Sequence, residues 1–247
     1  MLIDIHSHIL PECDDGAKDI EASITLLKTM KAQGITDVIA TPHFYPSDET
    51  IEDFKERVST SYNNLLNAGI NDLPNIYLGC ELFYYKGITK SEYIKEFTLN
   101  KSNYILLEPN PYFLDKTFMD ELLYLKNELG MMPIIPHIER YNKSKGYKNF
   151  LKFIKENKIL TQVNTSSFTS IAYNKTIKKL FSERLVTFVA TDTHSLNRPP
   201  MMDSALSVIE NRFSAREKKK ILYNLELLYD SIIVKGNSNE IEHIKYL

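Results

Sequence analysis

Residues 3–8 read Ile-Asp-Ile-His-Ser-His, a short apolar strand that ends in two histidines. Side chains two residues apart on a strand point to the same side of a sheet, so His6 and His8 can direct both imidazoles toward one cation. A lone His-x-His pair is about as often two surface or core histidines as it is a metal site. The interpretation of this stretch therefore depends on which side chains the rest of the chain brings to it.

Ligand-type side chains recur where later apolar, strand-like runs end. These residues are His43, Glu81, Glu108, His137, Asp192 and His194. With His6 and His8, five of the six histidines lie at such strand ends, and only His243, in the polar C-terminal segment, lies elsewhere. The carboxyl ends of successive strands in a parallel α/β barrel face the same side, so we expect these residues to form a single cluster.

The loop after the first strand contains Asp14-Asp15-Gly16, which favours a turn. Taken alone, its acids are more simply explained as turn-forming or helix-capping residues. Beside a His-x-His strand, Asp15 becomes a candidate ligand.

Strand-like and helical patterns alternate along the chain. Predicted strands cover 3–8, 36–41, 76–80, 104–107, 132–135, 159–164 and 185–190, and predicted helices cover 19–33, 51–67, 116–129, 150–157, 203–211 and 215–228. This alternation indicates a parallel sheet with helices outside. A closed (β/α) barrel of seven strands fits better than an open doubly wound sheet, because an early glycine fingerprint is absent and ligands recur at nearly every strand end. The Ser/Thr-rich stretch after the sixth strand supplies no evident ligand.

Length and composition indicate one domain over residues 1–247, because 247 residues with 43% hydrophobic content can bury a large core. The net charge of −2 gives no basic field, and no lysine or arginine stripe is interleaved with aromatics as in a nucleic-acid groove. Nucleic acid is therefore not an expected partner. The densest basic run, Lys218-Lys219-Lys220, is typical of the solvated face of a helix.

Neither export nor membrane insertion is expected. Asp4, His6 and His8 interrupt the apolar N-terminus, and no run approaches the ~18 apolar residues of a membrane span. Two cysteines, Cys13 and Cys80, cannot form a disulfide framework and suit a reducing compartment. We expect a soluble cytoplasmic protein.

Nine ligand-type side chains are too many for one ion with about four to six ligands, so they predict two or three ions. Mixed imidazole and carboxylate ligands suit manganese, iron or zinc better than calcium, and without thiolate ligands zinc is not singled out. Clustered divalent ions support hydrolysis, especially of phosphate esters, because they activate water near neutral pH and neutralise charge on phosphoryl oxygens.

Arg140 and Arg198 follow two of the ligand motifs within a few residues. A guanidinium can bind a phosphate through two parallel hydrogen bonds. Each arginine alone would be interpreted as a surface residue. Together, beside a metal cluster, they are the expected phosphate clamp.

Cysteine-based phosphatase chemistry needs a thiolate with an arginine six residues later. Asp19 occupies that position after Cys13, and Lys86 occupies it after Cys80. The sequence therefore disfavours a cysteine mechanism.

Together these motifs resemble the polymerase and histidinol phosphatase (PHP) superfamily, and most closely the manganese-dependent bacterial protein-tyrosine phosphatases of capsule and exopolysaccharide gene clusters. The resemblance covers nearly the whole chain, and the combination of motifs is specific although each motif alone is weak. The motifs are Asp4-Ile5-His6-Ser7-His8, Asp14-Asp15-Gly16, Ala40-Thr41-Pro42-His43, Pro136-His137-Ile138-Glu139-Arg140, and Asp192-Thr193-His194 with Arg198-Pro199-Pro200.

The resemblance implies a distorted TIM-like barrel with three divalent ions at the C-terminal strand ends, with manganese favoured over iron, magnesium or zinc. It assigns the first ion to His6, His8, Glu81 and Asp192. It assigns the second ion to Glu81, Glu108 and His137, with Glu81 as a bridge, and the third to Asp15, His43 and His194. The candidate catalytic residues are Arg140, Arg198, Asp192 and His194, and the two arginines match the phosphate-binding positions.

The resemblance further implies hydrolysis of phosphotyrosine in the C-terminal tail of a cognate autophosphorylating tyrosine kinase that controls polysaccharide synthesis and export. The nearest alternative is a small-molecule phosphomonoesterase of the same superfamily, such as a histidinol-phosphate phosphatase, which the Asp-Asp-Gly and His-Ile-Glu-Arg contexts disfavour. A catalytically silent metal-binding module is a second alternative, disfavoured by the complete set of ligands and arginines. The sequence leaves the native metal, the oligomeric state and the kinase open.

Overall fold

Parallel strands alternate with helices in the computed structural model, which describes residues 1–112 and 114–234. The polar C-terminal tail with His243 lies outside the described residues. The strands are β1 (Ile3–Ser7), β2 (Asp37–Ala40), β3 (His43–Phe44), β4 (Asn75–Leu78), β5 (Glu81–Phe83), β6 (Tyr104–Glu108), β7 (Met132–Ile135), β8 (Leu160–Asn164) and β9 (Phe188–Ala190). The helices are α1 (Ile20–Ala32), α2 (Ile51–Asn67), α3 (Lys116–Asn127), α4 (Tyr147–Asn157), α5 (Asn174–Ser182), α6 (Met202–Arg212) and α7 (Ala215–Tyr229).

The strands pair in parallel, in the orders β1-β2-β4 and β3-β5-β6-β7-β8-β9. The predicted strands 36–41 and 76–80 match β2 and β4, and each continues after a short gap in a segment that the prediction does not include, β3 or β5. Pro42 lies in the first gap and has no N–H to donate to a neighbouring strand. Because β2 pairs with β4 and β3 pairs with β5, the two interrupted strands run side by side.

The sheet is curled so that β1 meets the segment that follows β9. The N–H of Asp192 donates to the carbonyl of His6 at 2.9 Å, and the N–H of His8 donates to the carbonyl of Thr193 at 2.9 Å. Ser7 and Thr193 form a parallel bridge between these segments. This curled parallel sheet is compatible with the expected distorted TIM-like barrel, whose seven-strand count stays a prediction.

Several helices begin at a side chain that caps them. Asp19, Thr50, Asp115 and Ser214 precede α1, α2, α3 and α7, and each accepts a hydrogen bond from the backbone N–H of the residue three positions later. The predicted helices agree with the observed bounds within a few residues, because caps and apolar periodicity are local features of a sequence.

Helix α5 is absent from the sequence-based prediction. It follows the Ser/Thr-rich stretch in which the pattern weakens, and it is nine residues long. Its buried residues Ile177, Leu180 and Phe181 nevertheless have the spacing of a helix face. So few periodic residues do not stand out from the polar sequence around them.

The core lies between the sheet and the surrounding helices, as expected for parallel strands that are buried on both faces. The ring of Phe118 on α3 lies 4.6 Å from the ring of Tyr84 and 5.6 Å from that of Phe150 on α4. Tyr84, one of three consecutive aromatic residues after β4, therefore packs against the core. No helix within 1–112 and 114–234 is long and apolar enough to cross a membrane.

A buried carboxyl joins β1 to the end of β9. Oδ1 of Asp4 accepts a hydrogen bond from the N–H of Thr191 at 2.9 Å, and the hydroxyl of Thr191 donates to Oδ2. Burial raises the pKa of Asp4 to about 6, and the hydrogen bonds from Thr191 oppose this shift only in part. Because the pKa of Asp4 is raised in the folded state, its contribution to the free energy of unfolding falls as pH rises from the usual value of 3.8 through about 6.

We predict that Asp4→Asn is tolerated, whereas Asp4→Ala lowers the free energy of unfolding by about 1–3 kcal/mol. Asn can still accept a hydrogen bond from the N–H of Thr191 and can donate one to its hydroxyl, but Ala leaves both groups unsatisfied. Wild-type protein should also lose stability relative to Asp4→Asn as pH rises from the usual Asp pKa of 3.8 through about 6. Urea unfolding of the three proteins below and above this range measures both effects. Equal stability of Asp4→Ala and wild type throughout would contradict the role of Asp4.

Candidate metal centre

All nine predicted ligands lie at the end of the sheet where the strands terminate, here named the mouth. Their donor atoms form overlapping groups, and the atoms within each group lie within 4.8 Å of one another. The groups are His8, Asp15, His43 and His194; His6, His8, Glu81 and Asp192; and His43, Glu81 and Glu108. The ninth residue, His137, places its Nε2 2.9 Å from Oε1 of Glu81 and 3.5 Å from Oε1 of Glu108. Residues from both ends of the chain therefore form one cluster.

In the group around His6, the donor atoms face one another at the spacing of a coordination shell. Nε2 of His6 lies 3.1 Å from Nε2 of His8, 3.0 Å from Oε2 of Glu81 and 3.4 Å from Oδ1 of Asp192. Ligand atoms that lie about 2.1 Å from one ion are themselves about 3.0–3.4 Å apart in octahedral or tetrahedral geometry. These four atoms are therefore spaced as they would be around a single ion.

Hydrogen bonds decide which nitrogen of two histidines carries a proton. The backbone N–H of His137 donates to Oε1 of Gln162 at 2.9 Å, so this atom is an acceptor. Nδ1 of His6 lies 3.2 Å from the same oxygen and must donate to it. Nδ1 of His8 likewise donates to the carboxylate of Asp14 at 2.7 Å. In their neutral forms both imidazoles therefore direct the lone pair of Nε2 into the cluster, as metal-ligating histidines do.

His194 and His43 lie with Asp15 on the outer side of the cluster. Nδ1 of His194 donates to the carbonyl of Asp192 at 2.9 Å, which leaves its Nε2 3.5 Å from Oδ1 of Asp15. Burial lowers the pKa of His194 to about 4, so this imidazole is neutral at pH 7. Nδ1 of His43 is buried, has no hydrogen-bond partner among the described residues, and lies 3.3 Å from Oε2 of Glu81. A buried nitrogen without a partner next to a carboxylate oxygen is where a cation would fit.

Glu81 lies at the centre of the cluster and is 1% exposed. Burial raises its pKa, but the neighbouring His6 and His137 hold that pKa well below the usual value. The pKa of Glu108, in contrast, is raised to about 8 by burial and by the negative charge of Glu81. Burial and the neighbouring carboxylate together disfavour the ionised form of Glu108, and a bound cation would relieve the repulsion between the two carboxylates.

The donor set fits divalent metal ions in charge as well as in geometry. Burial lowers the pKa of His6 and His8, yet the nearby carboxylates raise the pKa of both above the usual value. The site therefore favours positive charge at Nε2 of these residues, and a metal ion competes with the proton for that position. Imidazole and carboxylate ligands without thiolates suit manganese, iron or zinc.

Arg140 and Arg198 converge on one oxygen of Asp192. Nη2 of Arg140 donates to Oδ2 at 2.5 Å, and Nη2 of Arg198 donates to it at 3.1 Å. Burial raises the pKa of Asp192, but His6 and Arg140 hold it below the usual value, so the group stays ionised. The side chains of Arg140 and Arg198 are 37% and 45% exposed, so both can reach a ligand at the mouth.

Two amides at the end of β8 are absent from the predicted site. Nε2 of Gln162 donates to Oδ1 of Asn164 at 2.8 Å, and Nδ2 of Asn164 donates to Oδ2 of Asp192 at 2.5 Å. The sixth predicted strand therefore supplies residues that orient ligands, although it supplies no ligand itself. A signal was available, because Gln162 and Asn164 alternate on a strand as His6 and His8 do.

Asp14 and Tyr141 are also absent from the predicted site. Oδ2 of Asp14 accepts a hydrogen bond from the N–H of His43 at 3.0 Å in addition to the one from His8. The hydroxyl of Tyr141 lies 2.9 Å from Nδ1 of His137. Partners of this kind hold the rings of metal ligands in place. The local sequence does not separate the role of Asp14 from that of its neighbour Asp15.

Two of the predicted ligands have backbone angles that residues other than glycine rarely adopt. His137 has φ 32° and Asp192 has φ 48°. The N–H of His137 donates to the side chain of Gln162, and the N–H of Asp192 donates to the carbonyl of His6. These hydrogen bonds hold the strained conformations, which are typical of functional sites.

Neither cysteine thiol is placed for catalysis. Cys13 and Cys80 are both buried. Burial raises the pKa of Cys13 to about 12 and that of Cys80 well above the usual value. Protonated, buried thiols are poor nucleophiles.

Proteins of similar sequence align with most of this chain. Tyrosine-protein phosphatase CpsB from Streptococcus agalactiae serotype III is 30% identical over 233 residues, which cover 89% of this chain and 94% of that protein. A putative tyrosine-protein phosphatase CapC from Staphylococcus aureus is 31% identical over 239 residues, covering 91% of this chain and 87% of that protein.

A solved structure agrees with these matches. It comes from work on YwqE from Bacillus subtilis and CpsB from Streptococcus pneumoniae, described as unique metal-dependent tyrosine phosphatases. It superimposes with a TM-score of 0.80 at 27% sequence identity and covers 93% of this chain and 95% of that chain.

The family model for capsular polysaccharide synthesis, CpsB/CapC, matches residues 2–226. The matched region contains the nine strands of the described residues and all nine ligand-type residues of the mouth. This protein therefore belongs to the CpsB/CapC family of capsular polysaccharide synthesis.

Proposed function

We propose that this protein is a metal-dependent protein-tyrosine phosphatase that acts on the phosphorylated tail of a cognate bacterial tyrosine kinase in capsule or exopolysaccharide synthesis. The proposal rests on the position of Asp192 at the mouth. One of its carboxylate oxygens faces the imidazole donors, and the other accepts hydrogen bonds from two exposed arginines, Arg140 and Arg198. The relatives named tyrosine-protein phosphatases support the substrate.

The proposal includes three divalent ions, with manganese favoured over iron, magnesium or zinc. The first ion would be held by His6, His8, Glu81 and Asp192. The second would be held by Glu81, Glu108 and His137, and the third by Asp15, His43 and His194. Such ions, when bound, activate water near neutral pH and neutralise charge on phosphoryl oxygens.

Arg140 and Arg198 would bind and orient the phosphate. Each guanidinium has five N–H donors and uses Nη2 for its hydrogen bond to Asp192, so further donors remain for phosphate oxygens. Asp192 keeps the two arginines side by side and so pre-organises the clamp. His194 is neutral at pH 7, so it could bind a metal ion together with Asp15 without adding a positive charge to the site.

Aromatic side chains would accept the phenyl ring of phosphotyrosine. The ring of Tyr45 lies 5.0 Å from that of His43 and 5.6 Å from that of Phe83. Tyr45 and Phe83 therefore form an aromatic edge next to the metal donors. An aryl phosphate could stack there while its phosphate reaches Arg140 and Arg198.

The fold is proposed to be one phosphatase domain over residues 1–247, built as a seven-stranded barrel. This strand number follows if β2 with β3, and β4 with β5, each count as one interrupted strand. The hydrogen bonds between His6 and Asp192 and between His8 and Thr193 support closure between the first and last strands.

The substrate class is tested by rates on three substrates after reconstitution with manganese: a phosphotyrosine peptide, a phosphoserine peptide and histidinol phosphate. We expect kcat/KM to be highest on the phosphotyrosine peptide, by at least about tenfold, because only that substrate presents a phenyl ring to Tyr45 and Phe83. A higher kcat/KM on histidinol phosphate would replace the proposal by the small-molecule alternative.

Metal removal provides a second prediction. A chelator should abolish phosphatase activity, and manganese should restore it, because the mouth holds many carboxylate and imidazole donors but no reactive thiol. Elemental analysis and circular dichroism measure metal content and fold in the same samples. Full activity in folded protein that contains no metal would contradict the metal-dependent mechanism.

A third prediction separates the arginine clamp from the metal ligands. Arg198→Ala should keep its metal and its fold but lose on the order of a hundredfold in kcat/KM, because one bidentate phosphate contact is gone. Asp192→Ala should lose metal as well as activity. Arg216→Ala, which removes an exposed arginine from α7, is the matched control and should keep wild-type rates. Wild-type turnover by a fully metal-loaded Arg198→Ala variant would show that residues other than Arg198 bind the phosphate.

A further inference from the structure

Positive charge is concentrated in one part of this chain. Residues 140–182 contain ten lysine and arginine residues and a single acidic residue, Glu156, although the whole protein has a formal net charge of −2. The remainder of the chain is therefore net acidic. The overall charge conceals this asymmetry. The expectation that no basic stretch is interleaved with aromatics is wrong for this segment, where Tyr141, Tyr147 and Phe150 lie between lysine and arginine residues.

The structure places much of this charge around one cavity. A cavity of ≈ 660 Å³ is lined by Lys148, Lys175 and Lys179 together with polar residues such as Asn142 and Thr176. No acidic residue of the described chain lines this cavity. We name Lys143, Lys145, Lys148, Lys175 and Lys179 the basic patch, because the first two alternate in sequence with residues that line the same cavity.

The lysines of the basic patch are largely free of ion pairs. Within the described ranges, no acidic side chain pairs with Lys148 or Lys175, and Lys179 has a 3.7 Å contact with Glu183. Lys148 and Lys175 are exposed to solvent. Unpaired ammonium groups around a concave surface favour an anionic ligand.

The basic patch lies beside the mouth. Asn142, which lines the cavity, belongs to the short helical turn Ile138–Lys143, and this turn also presents Arg140. Lys148 and Lys175 lie in the first turns of α4 and α5, which follow β7 and β8. In a parallel α/β sheet, the first turn of a helix that follows a strand lies at the carboxyl end of the sheet.

The opposite side of the mouth is acidic. The loops after β1 and β3 carry Glu12, Asp15 and Asp48, whose side chains are exposed, whereas the carboxylate of Glu49 is paired with Arg57. These loops adjoin the same cluster, because Asp15 lies 3.6 Å from His43. An anionic segment that leaves the mouth is therefore repelled on one side and attracted on the other.

We propose that the basic patch binds acidic side chains that flank the phosphotyrosine of a peptide substrate, so that the enzyme prefers phosphotyrosine in an acidic sequence. This proposal rests on the proposed function and adds the sequence context of its substrate. The phosphate would lie on Arg140 and Arg198, and acidic residues on one side of it would reach Lys148 and Lys175. Contacts of this kind are electrostatic and exposed, so they act on affinity and are weakened by salt.

The test uses manganese-loaded protein and three fluorescent peptides with a non-hydrolysable phosphonate in place of phosphotyrosine. One peptide carries three glutamates before the phosphonate, one carries them after it, and one carries glutamines at all these positions. We expect at least one acidic peptide to bind with a Kd on the order of fivefold lower than the glutamine peptide at about 50 mM salt, and this preference to vanish at about 0.5 M salt. Fluorescence anisotropy measures the three dissociation constants.

A pair of double variants separates the basic patch from net charge. Lys148→Glu with Lys175→Glu should remove the preference, read as the ratio of the Kd values for the neutral and acidic peptides. Lys28→Glu with Lys219→Glu changes the net charge equally at exposed positions on α1 and α7, and it should keep the preference. Circular dichroism checks the fold, and the salt dependence of the wild type tests the proposal independently of either variant.

Equal binding of the three peptides by wild type would overturn the proposal, as would loss of the preference in the control variant. Cosedimentation with phosphatidylglycerol vesicles tests a different partner. If wild type binds these vesicles through the basic patch and binds the three peptides equally, the patch is a lipid-binding surface and the proposal is wrong. Phosphonate binding needs no turnover, so failure of this proposal is distinguishable from absence of phosphatase activity, which would refute the proposed function.

Discussion

The carboxylate of Asp192 is the interaction on which the rest of the site depends. Its Oδ1 faces the imidazoles of His6 and His8, and its Oδ2 accepts hydrogen bonds from Arg140 and Arg198. Its backbone N–H donates to the carbonyl of His6 and so helps to close the curled sheet. A displacement of this one residue would disturb the predicted metal donors, the proposed phosphate clamp and the sheet together.

Buried charge at the mouth explains why so many side chains surround the ligands. Glu81 is almost inaccessible to solvent, and burial together with the charge of Glu81 raises the pKa of the neighbouring Glu108. A buried carboxylate without partners would cost several kcal/mol, and hydrogen bonds together with bound cations offset that cost. Gln162, Asn164 and Asp14 supply the hydrogen bonds that hold the charged and imidazole groups in position. The site is therefore a network in which His6 and Asp192 are held by side chains of β8, whereas His8 is held by a side chain of the loop that follows β1.

Positively charged side chains form two groups, one next to the metal donors and one farther from them. Close to the reacting centre, Arg140 and Arg198 pair with Asp192 and keep a fixed geometry. Farther out, Lys148 and Lys175 are exposed and bear charge without ion pairs among the described residues. Fixed, partly buried charges suit recognition of a phosphate, whereas exposed lysines suit a variable acidic sequence. If the arginines and the basic patch act as proposed, the same fold separates catalysis from the choice of protein substrate.

The alternation of strands and helices and the identity of the ligand-type residues at the strand ends could be predicted from the amino-acid sequence. Both are local properties: a strand exposes alternate residues on one side, as with His6 and His8, and a helix is marked by its cap and apolar spacing, as with Asp19 before α1. The parallel topology then implied that distant strand ends meet, because carboxyl ends of parallel strands share one side of the sheet.

Which of these residues face one another, and which side chains hold them in place, depends on the folding of the whole chain. The hydrogen-bond partner of Nδ1 of His6 is Gln162, and neither local sequence predicts this contact across the sheet. The same is true of Asp14, which binds His8 while its neighbour Asp15 faces His194. Side-chain contacts between distant strands depend on the curl of the sheet and the angles of individual loops, and these are set by packing of the whole chain and not by any short stretch of it.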